Sequence, residues 1–153
     1  MELDRYDLGI LNVLQREGRI SNQDLAERVG LTPAPCLRRV RVLEESGIIR
    51  AYRALLDARK LGLSLTAILH ISMDAHTPER FACFEEEVAQ MPEVIECLLI
   101  AGQEADYQLK IAVADMDAYR ALLLDRVTRI PGVSGVRSSF VLRKVIDETA
   151  LPL

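Results

Sequence analysis

The chain is poor in the residues that build most catalytic and metal centres. It has two histidines, His70 and His76, and three cysteines, Cys36, Cys83 and Cys97, and none of them pairs at the spacing of a metal-ligand set. An odd cysteine count in apolar contexts points to buried free thiols rather than a disulfide framework. The phosphate-cradling patterns Gly-x-Gly-x-x-Gly and Gly-x-x-x-x-Gly-Lys are missing, as are the Gly-x-Ser-x-Gly elbow and His-Glu-x-x-His. Glu85, Glu86 and Glu87 are consecutive, so on a helix they point around the axis and read as a solvated face rather than an acid/base pair. No apolar run reaches the roughly 18 residues of a membrane span. The stretch Met1–Ile10 lacks the basic and apolar regions of a secretory signal. These absences set the expectation of a cytoplasmic protein, with no metal, no cofactor and no membrane partner, that is not an enzyme.

What is present is a core. Half of the 153 residues are hydrophobic, which is ample for one domain or two small ones and argues against disorder. Charge is unevenly divided: residues 1–60 carry eleven Lys/Arg against nine Asp/Glu, and residues 61–153 carry eight against fourteen. A basic first third on an acidic body suggests a reading head attached to a larger regulatory part. The net charge of −4 argues against a long basic groove, so affinity for nucleic acid needs more than one head per complex.

The stretch Ser21 to Gly47 reads as two short capped helices joined by a tight turn. Ser21 caps the first, with Asp24 three residues on, Leu25 and Val29 in its apolar stripe and Gly30 as its stop. Thr32 is the N-cap of the second and Pro33 its first residue, where a proline loses no needed donor; Gly47 ends it. On a helical wheel Cys36, Leu37, Val40 and Leu43 fall within about a third of the circle, the width of a core-facing stripe. Arg38, Arg39 and Arg41 lie outside that stripe. Their guanidinium forks, beside the small Ala34, suit the edges of bases in a major groove or the phosphates beside it. Arg39 lies nearest the core arc, which also allows a structural role. Solvated arginines on a surface helix are the plainer alternative, and a winged helix that docks on another protein is a further one.

Another helix, Asp4 to Arg16, precedes this unit, with Asp4 as cap and Leu8, Leu11 and Leu14 facing its neighbours. Ile48 to Leu56 has strand character, and its Arg50 and Arg53 are placed to touch a phosphate backbone as a short wing. A linker follows, with Gly62 as its hinge. The second half repeats. Leu65, Ala67, Leu69, Ile71 and Met73 alternate on one face of a strand, a helix opens at Thr77-Pro78, and Met91-Pro92-Glu93-Val94 leads into the strand Ile95 to Ile100. The signature returns as Ile130-Pro131-Gly132-Val133 after a strand Tyr107 to Val113 and a helix Met116 to Arg129, and before a strand Val136 to Val145. Two copies of β-α-β fold as an antiparallel sheet with both helices on one face. The other face is expected to be apolar enough to stack on a second copy, which would bring two reading heads together.

By their joint order, a set of residues resembles the Lrp/AsnC family of leucine-responsive or feast/famine transcriptional regulators. They run through Leu3-Asp4-x-x-Asp7, Leu14-Gln15-x-x-Gly18-Arg19-Ile20, Gly30-Leu31-Thr32, Cys36-Leu37-x-Arg39-Val40-x-x-Leu43-Glu44 and Gly47-Ile48-Ile49-x-x-Tyr52. They continue with Val94-x-Glu96-Cys97, Gly102, Asp106-Tyr107, Tyr119, Pro131-Gly132-Val133 and Leu151-Pro152-Leu153.

The resemblance implies an α+β chain. Residues 1–63 would form a three-helix winged helix-turn-helix DNA-binding domain with a linker strand, and residues 64–153 a ferredoxin-like βαββαβ domain for ligand binding and oligomerisation. It implies double-stranded DNA as partner, contacted through Ser21, Thr32, Pro33, Ala34, Pro35, Arg38, Arg39, Arg41 and Arg50. It also implies an amino-acid effector held by Ile100, Ala101, Gly102, Asp106, Tyr107, Ser138 and Ser139, and homodimers that associate into an octamer. Glycine allows close backbone approach to a carboxylate, and Asp106 suits an ammonium group. Two departures stand out. The family's Gly-x-x-Asp-Tyr loop is one residue longer here, Gly102 to Tyr107, and Val136 stands where many members carry a threonine. An effector half that serves assembly alone is therefore the alternative.

Overall fold

The computed structural model describes residues 2–102 and 105–153. The chain divides into two compact units, Met1–Leu55 together with Val145–Leu153, and Leu56–Lys144. The sequence places the division at 63/64 and assigns the last residues to the sheet domain. In the structure those last nine residues cluster instead with the three helices.

The first unit holds α1 (Arg5–Leu14), α2 (Asn22–Val29) and α3 (Pro33–Glu45). Each starts where its cap places it. Asp4 accepts from the backbone N–H groups of Tyr6 and Asp7, and the Asp7 side chain reaches back to the Asp4 N–H, a complete capping box. Ser21 accepts from the Asp24 N–H, and Gly30 ends α2 in the left-handed conformation at φ 71°. Thr32 caps α3 by its extended backbone alone, without a side-chain hydrogen bond, ahead of Pro33.

Ile10, Leu11, Leu25, Ala26, Cys36 and Leu43 form the buried core of this unit, with Val40, Val29 and Ile49 packed around it. Burial of a large aliphatic side chain stabilises by about 1.5–3 kcal/mol, so these few residues carry much of the fold. Leu37 departs from expectation and is 39% exposed. The buried stripe of α3 turns toward the opposite flank, where Arg39 is drawn inward onto α1. Ile48 to Leu56 also departs: it forms no strand. A strand needs a ladder partner, and this segment pairs with none among the described residues. Tyr52 ties it back, donating through its hydroxyl to Glu44 Oε1 at 2.9 Å, and nearer α3 the Ile49 N–H donates to Leu43 O at 3.0 Å.

The second unit runs β1 (Leu65–Met73), α4 (Pro78–Ala89), β2 (Val94–Leu99), β3 (Tyr107–Val113), α5 (Met116–Asp125) and β4 (Val133–Phe140). The sheet order is β2-β3-β1-β4 and every pairing is antiparallel. Phe84 and Val88 of α4 and Tyr119 and Leu122 of α5 pack with Leu69, Ile71, Leu109 and Ile111, so both helices cover one face. Gly132 joins the second helix to β4 at φ 96°, and a Cβ there would lie 3.0 Å from Met73 Cε and 3.1 Å from Arg80 Cδ. β4 stops at Phe140, short of the expected Val145, and Leu142, Val145 and Ile146 are exposed.

The uncovered face differs from its sequence-based reading. Ile68 lies in register with Lys110 and Ser139, and His70 with Gln108 and Arg137, so its central rows are largely polar. Apolar exposure on the edge strand β2 is divided between the faces: Leu98 lies opposite Gln108 on the uncovered face, whereas Leu99 lies opposite Tyr107 on the helix-covered one.

Candidate DNA interface and effector site

The turn between α2 and α3 is fixed at both ends. Leu31 N–H donates to Ala26 O at 2.9 Å behind the Gly30 cap, and Asn22 Nδ2 donates to Pro33 O at 2.9 Å, pinning the first turn of α3 to the start of α2. Ser21 is spent on this framework: its hydroxyl accepts from Asp24 N–H at 3.1 Å and donates to Asp24 Oδ2 at 2.7 Å. Thr32, Pro33 and Ala34 are exposed at the head of α3 and Pro35 is half-buried.

The three arginines of α3 divide into two kinds. Arg39 Nη1 lies 2.8 Å from Asp4 Oδ2 and 2.8 Å from Asp7 Oδ1, and its guanidinium stands 5.4 Å from the centre of the Tyr6 ring. It is a brace between α1 and α3. The pairing is mutual: the Asp7 N–H first, and then Arg39, hold the Asp4 carboxyl below its ordinary range, and the two carboxylates raise Arg39 further. Arg38 and Arg41 are exposed, and among the described residues neither forms an ion pair. At about 100° per residue they share one flank with Ala34, opposite Cys36 and Leu43. The flank is small at its head and cationic along its length, the shape that suits a groove lined with phosphates and base edges. Arg50 is exposed beyond the helix.

The effector candidates are arranged differently. Ile100 N–H donates to Asp106 O at 2.8 Å, closing the end of the β2–β3 hairpin, and Asp106 N–H donates to Ile71 O at 2.8 Å. Asp106 Oδ2 accepts the Met73 N–H at 2.7 Å and Oδ1 lies 2.7 Å from His76 Nε2. Its carboxylate thus anchors the loop to β1 and to the segment before α4. Tyr107 is buried, its ring 4.4 Å from that of Phe84 and its hydroxyl donating to Glu85 Oε1 at 2.7 Å. Burial and Glu85 push its pKa well up. Glu85 is therefore a partner of the core, contrary to its reading as part of a wholly solvated run.

Ser138 lies opposite Leu69 on the helix-covered face, hydrogen-bonded to the Tyr119 hydroxyl, whereas Ser139 lies opposite Ile68 on the uncovered face. Ala101 and Gly102 are exposed, and a Cβ on Gly102 would meet nothing within 4 Å. The loop end and the two serines thus do not converge on one cluster. Gln103 and Glu104, where the lengthened loop would act, lie outside the described residues. An open depression of about 400 Å³ lies between α4 and β2, lined by Val88, Met91, Val94, Ile95 and Leu99 together with Glu85 and Tyr107, so it shares Tyr107 with the effector candidates.

Comparison with known proteins separates a DNA-binding part from a ligand-binding part, the latter running into the C-terminal tail. The Lrp/AsnC ligand binding domain profile matches residues 66–151, and a winged helix-turn-helix DNA-binding profile matches residues 3–50. The chain belongs to the Lrp/AsnC family. Similar curated relatives include the Bkd operon transcriptional regulator of Pseudomonas aeruginosa, 43% identical over 99% of each chain. The leucine-responsive regulatory protein of Escherichia coli is 46% identical over 98% of this chain and 91% of its own. Among solved structures, a Neisseria meningitidis transcriptional regulator in complex with L-Met superposes with a TM-score of 0.94 at 40% identity, covering 99% of this chain and 97% of that one. An AsnC family regulator from Agrobacterium tumefaciens gives 0.92 at 36% identity, covering 98% and 97%.

As a member of the Lrp/AsnC family the chain is a DNA-binding transcriptional regulator with a ligand-binding domain, not an enzyme. No helix among the described residues is long and apolar enough to cross a membrane. Sequence reasoning did not find Asn22 as the pin of the α2–α3 turn, nor the Tyr52–Glu44 tie. Asn22 carried only the ordinary signal of a polar residue at a helix start. The Asp4 and Asp7 clasp on Arg39 was half-visible, since the spacing of the capping box puts both carboxylates at one end of α1.

Proposed function

We propose that the chain is an amino-acid-responsive, sequence-specific regulator of the cytoplasm that reads operator DNA through Arg38 and Arg41, as homodimers that associate into octamers. The observation that carries the DNA reading is the division of labour on α3: Arg39 is committed to Asp4 and Asp7, while Arg38 and Arg41 share an exposed flank with Ala34. Thr32, Pro33 and Pro35 shape the helix head, Ser21 holds the turn behind it, and Arg50 supplies a phosphate contact. A two-fold dimer would set two such heads one helical turn of DNA apart, and the exposed apolar residues of β2 favour self-association.

For the effector, the Neisseria meningitidis relative bound to L-Met favours an amino acid, with the Ile100 to Gly102 turn, Asp106, Tyr107, Ser138 and Ser139 as the candidate residues. Such a ligand changes DNA occupancy only through differential affinity for two assemblies or conformations. A ten- to hundredfold change needs about 1.4–2.8 kcal/mol. A second reading, in which the effector half serves assembly alone, draws on the engagement of both Asp106 oxygens.

Operator titration tests the first part. Arg38→Ala or Arg41→Ala is expected to weaken binding by about 1–3 kcal/mol if the residue reads a base, or to lower the salt slope by about one if it holds a phosphate. Unchanged affinity and slope in both would overturn the assignment. A thermal-melt screen against the amino acids tests the second. A ligand at a hundred times its Kd stabilises by about 2.7 kcal/mol, and no shift with any amino acid would favour the assembly-only reading.

A further inference from the structure

One set of contacts belongs neither to the reading helix nor to the effector half. Gln15, just beyond the last turn of α1, grips the backbone of Leu151 from both sides. Its Nε2 donates to Leu151 O at 3.0 Å and its Oε1 accepts the Leu151 N–H at 2.7 Å. Asn12 Nδ2 donates to Leu153 O at 3.4 Å, and Asn12 Oδ1 accepts from Gln15 Nε2 at 3.1 Å, which orients the glutamine amide. Arg16 Nη1 in turn donates to Asn12 O at 2.9 Å and Asn12 Oδ1 at 3.2 Å. A primary amide carries the same donor and acceptor as a peptide group, so Gln15 pairs with Leu151 as one rung of a β-ladder would.

The side chains of the held segment are not what is read, since Leu151 is 66% and Leu153 52% exposed. Backbone is read, and Pro152 prepares it. A residue before proline is pushed to extended conformations, which presents the Leu151 N–H and C=O to one partner. Pro152 itself has no N–H, so no competing donor sits beside the rung.

We propose that the Asn12–Gln15 face of α1 is a docking site for an extended backbone segment, and that its occupant is Leu151–Leu153 of the same chain. Val145–Leu153 falls in the compact unit of the three helices, although the residues before it continue directly from β4. The DNA-binding unit is thereby held by the chain twice, through the linker after α3 and through this latch on α1. None of residues 145–153 belongs to the buried core of either unit, so release of the latch is expected to leave both cores in place.

Hydrogen exchange of full-length protein, followed by mass spectrometry on the peptide containing Leu151, tests the proposal. Leu151 is expected to be protected in the unaltered chain, and Gln15→Ala is expected to abolish that protection while Ile10 and Leu11 stay protected, showing that the unit remains folded. Free exchange at Leu151 in the unaltered chain, or protection unchanged in Gln15→Ala, would overturn the docking. Co-expression of Gln15→Ala chains with chains ending at Ala150 identifies the occupant. Leu151 of the Gln15→Ala chains stays unprotected if docking is within one chain, and protection regained from the intact Gln15 of the shortened chains overturns the same-chain assignment.

Discussion

In the three-helix unit Arg38 and Arg41 stand without ion-pair partners among the described residues, while in the sheet unit Asp106, Tyr107 and Ser138 are already engaged. Arg38 and Arg41 are exposed, but Asp106 is bound to Met73 and His76, Tyr107 to Glu85, and Ser138 to Tyr119. A surface of the first kind binds a polyanion as it is, at the cost of little more than side-chain ordering. A site of the second kind binds only by exchanging internal hydrogen bonds for ligand contacts, and each buried group left unpaired costs about 1–3 kcal/mol. That exchange is what a regulator needs. A ligand that must rearrange its site distinguishes two states of the protein, whereas one that settles on a ready surface does not.

The comparison breaks most sharply if one unit is unfolded without the other. Leu43 is fully buried in the core of the three helices, so Leu43→Ala removes about 2–5 kcal/mol through lost burial and a residual cavity. Differential scanning calorimetry should show an early transition for the helical unit, with operator binding falling in step, while the sheet unit keeps its own transition. In the sheet unit, Gly132→Ala forces a Cβ into a backbone at φ 96° and to 3.0 Å from Met73 Cε. The expected cost is about 1–3 kcal/mol, read as a lower melting transition for the sheet alone. The helical unit's transition should be spared, so a parallel loss in both transitions would show that the units do not fold separately.

Local signals carried most of the fold. Asp4 with Asp7, Ser21 with Asp24, Gly30 and Pro33 each mark a helix boundary through bonds that span a few residues, and the structure places the boundaries there. The alternation of Leu65 to Met73 and the repeated Met-Pro and Ile-Pro-Gly entries to β2 and β4 are equally local. Partners distant in sequence were illegible for the same reason. Nothing near Tyr107 announces Glu85, nothing near Ser138 announces Tyr119, and the side of α3 that leaves Leu37 exposed is set by packing against α1 and α2. Most of the candidate DNA residues, Pro33 to Arg41, lie on the one helix α3, so their grouping could be read directly. The effector residues come from strands on opposite sides of β1, where register decides which face each occupies.

The smallest expected effect concerns the segment after α3, where tertiary contact replaced the expected strand. Tyr52 is half exposed, yet partial burial and then the neighbouring Glu44 push its pKa from an ordinary value of 10.0 to about 12. Raising the pKa of an acid in the folded state favours its neutral form. The Tyr52 contribution to stability is therefore complete below pH 10, where folded and unfolded chains both carry the neutral phenol. It is lost as pH rises toward about 12, because the unfolded chain releases the proton first. Tyr52→Phe keeps the ring against Gly18 but removes the hydroxyl, so the melting temperature of the helical unit should fall slightly at pH 8 and lose less than that of the unaltered protein between pH 10 and 12. The sheet unit's transition should not distinguish the two proteins over that range. Identical alkaline profiles for both would mean that the Tyr52–Glu44 tie does not hold the segment, leaving the Tyr52 ring, Ile49 and the Gly47 turn to attach it to the helices.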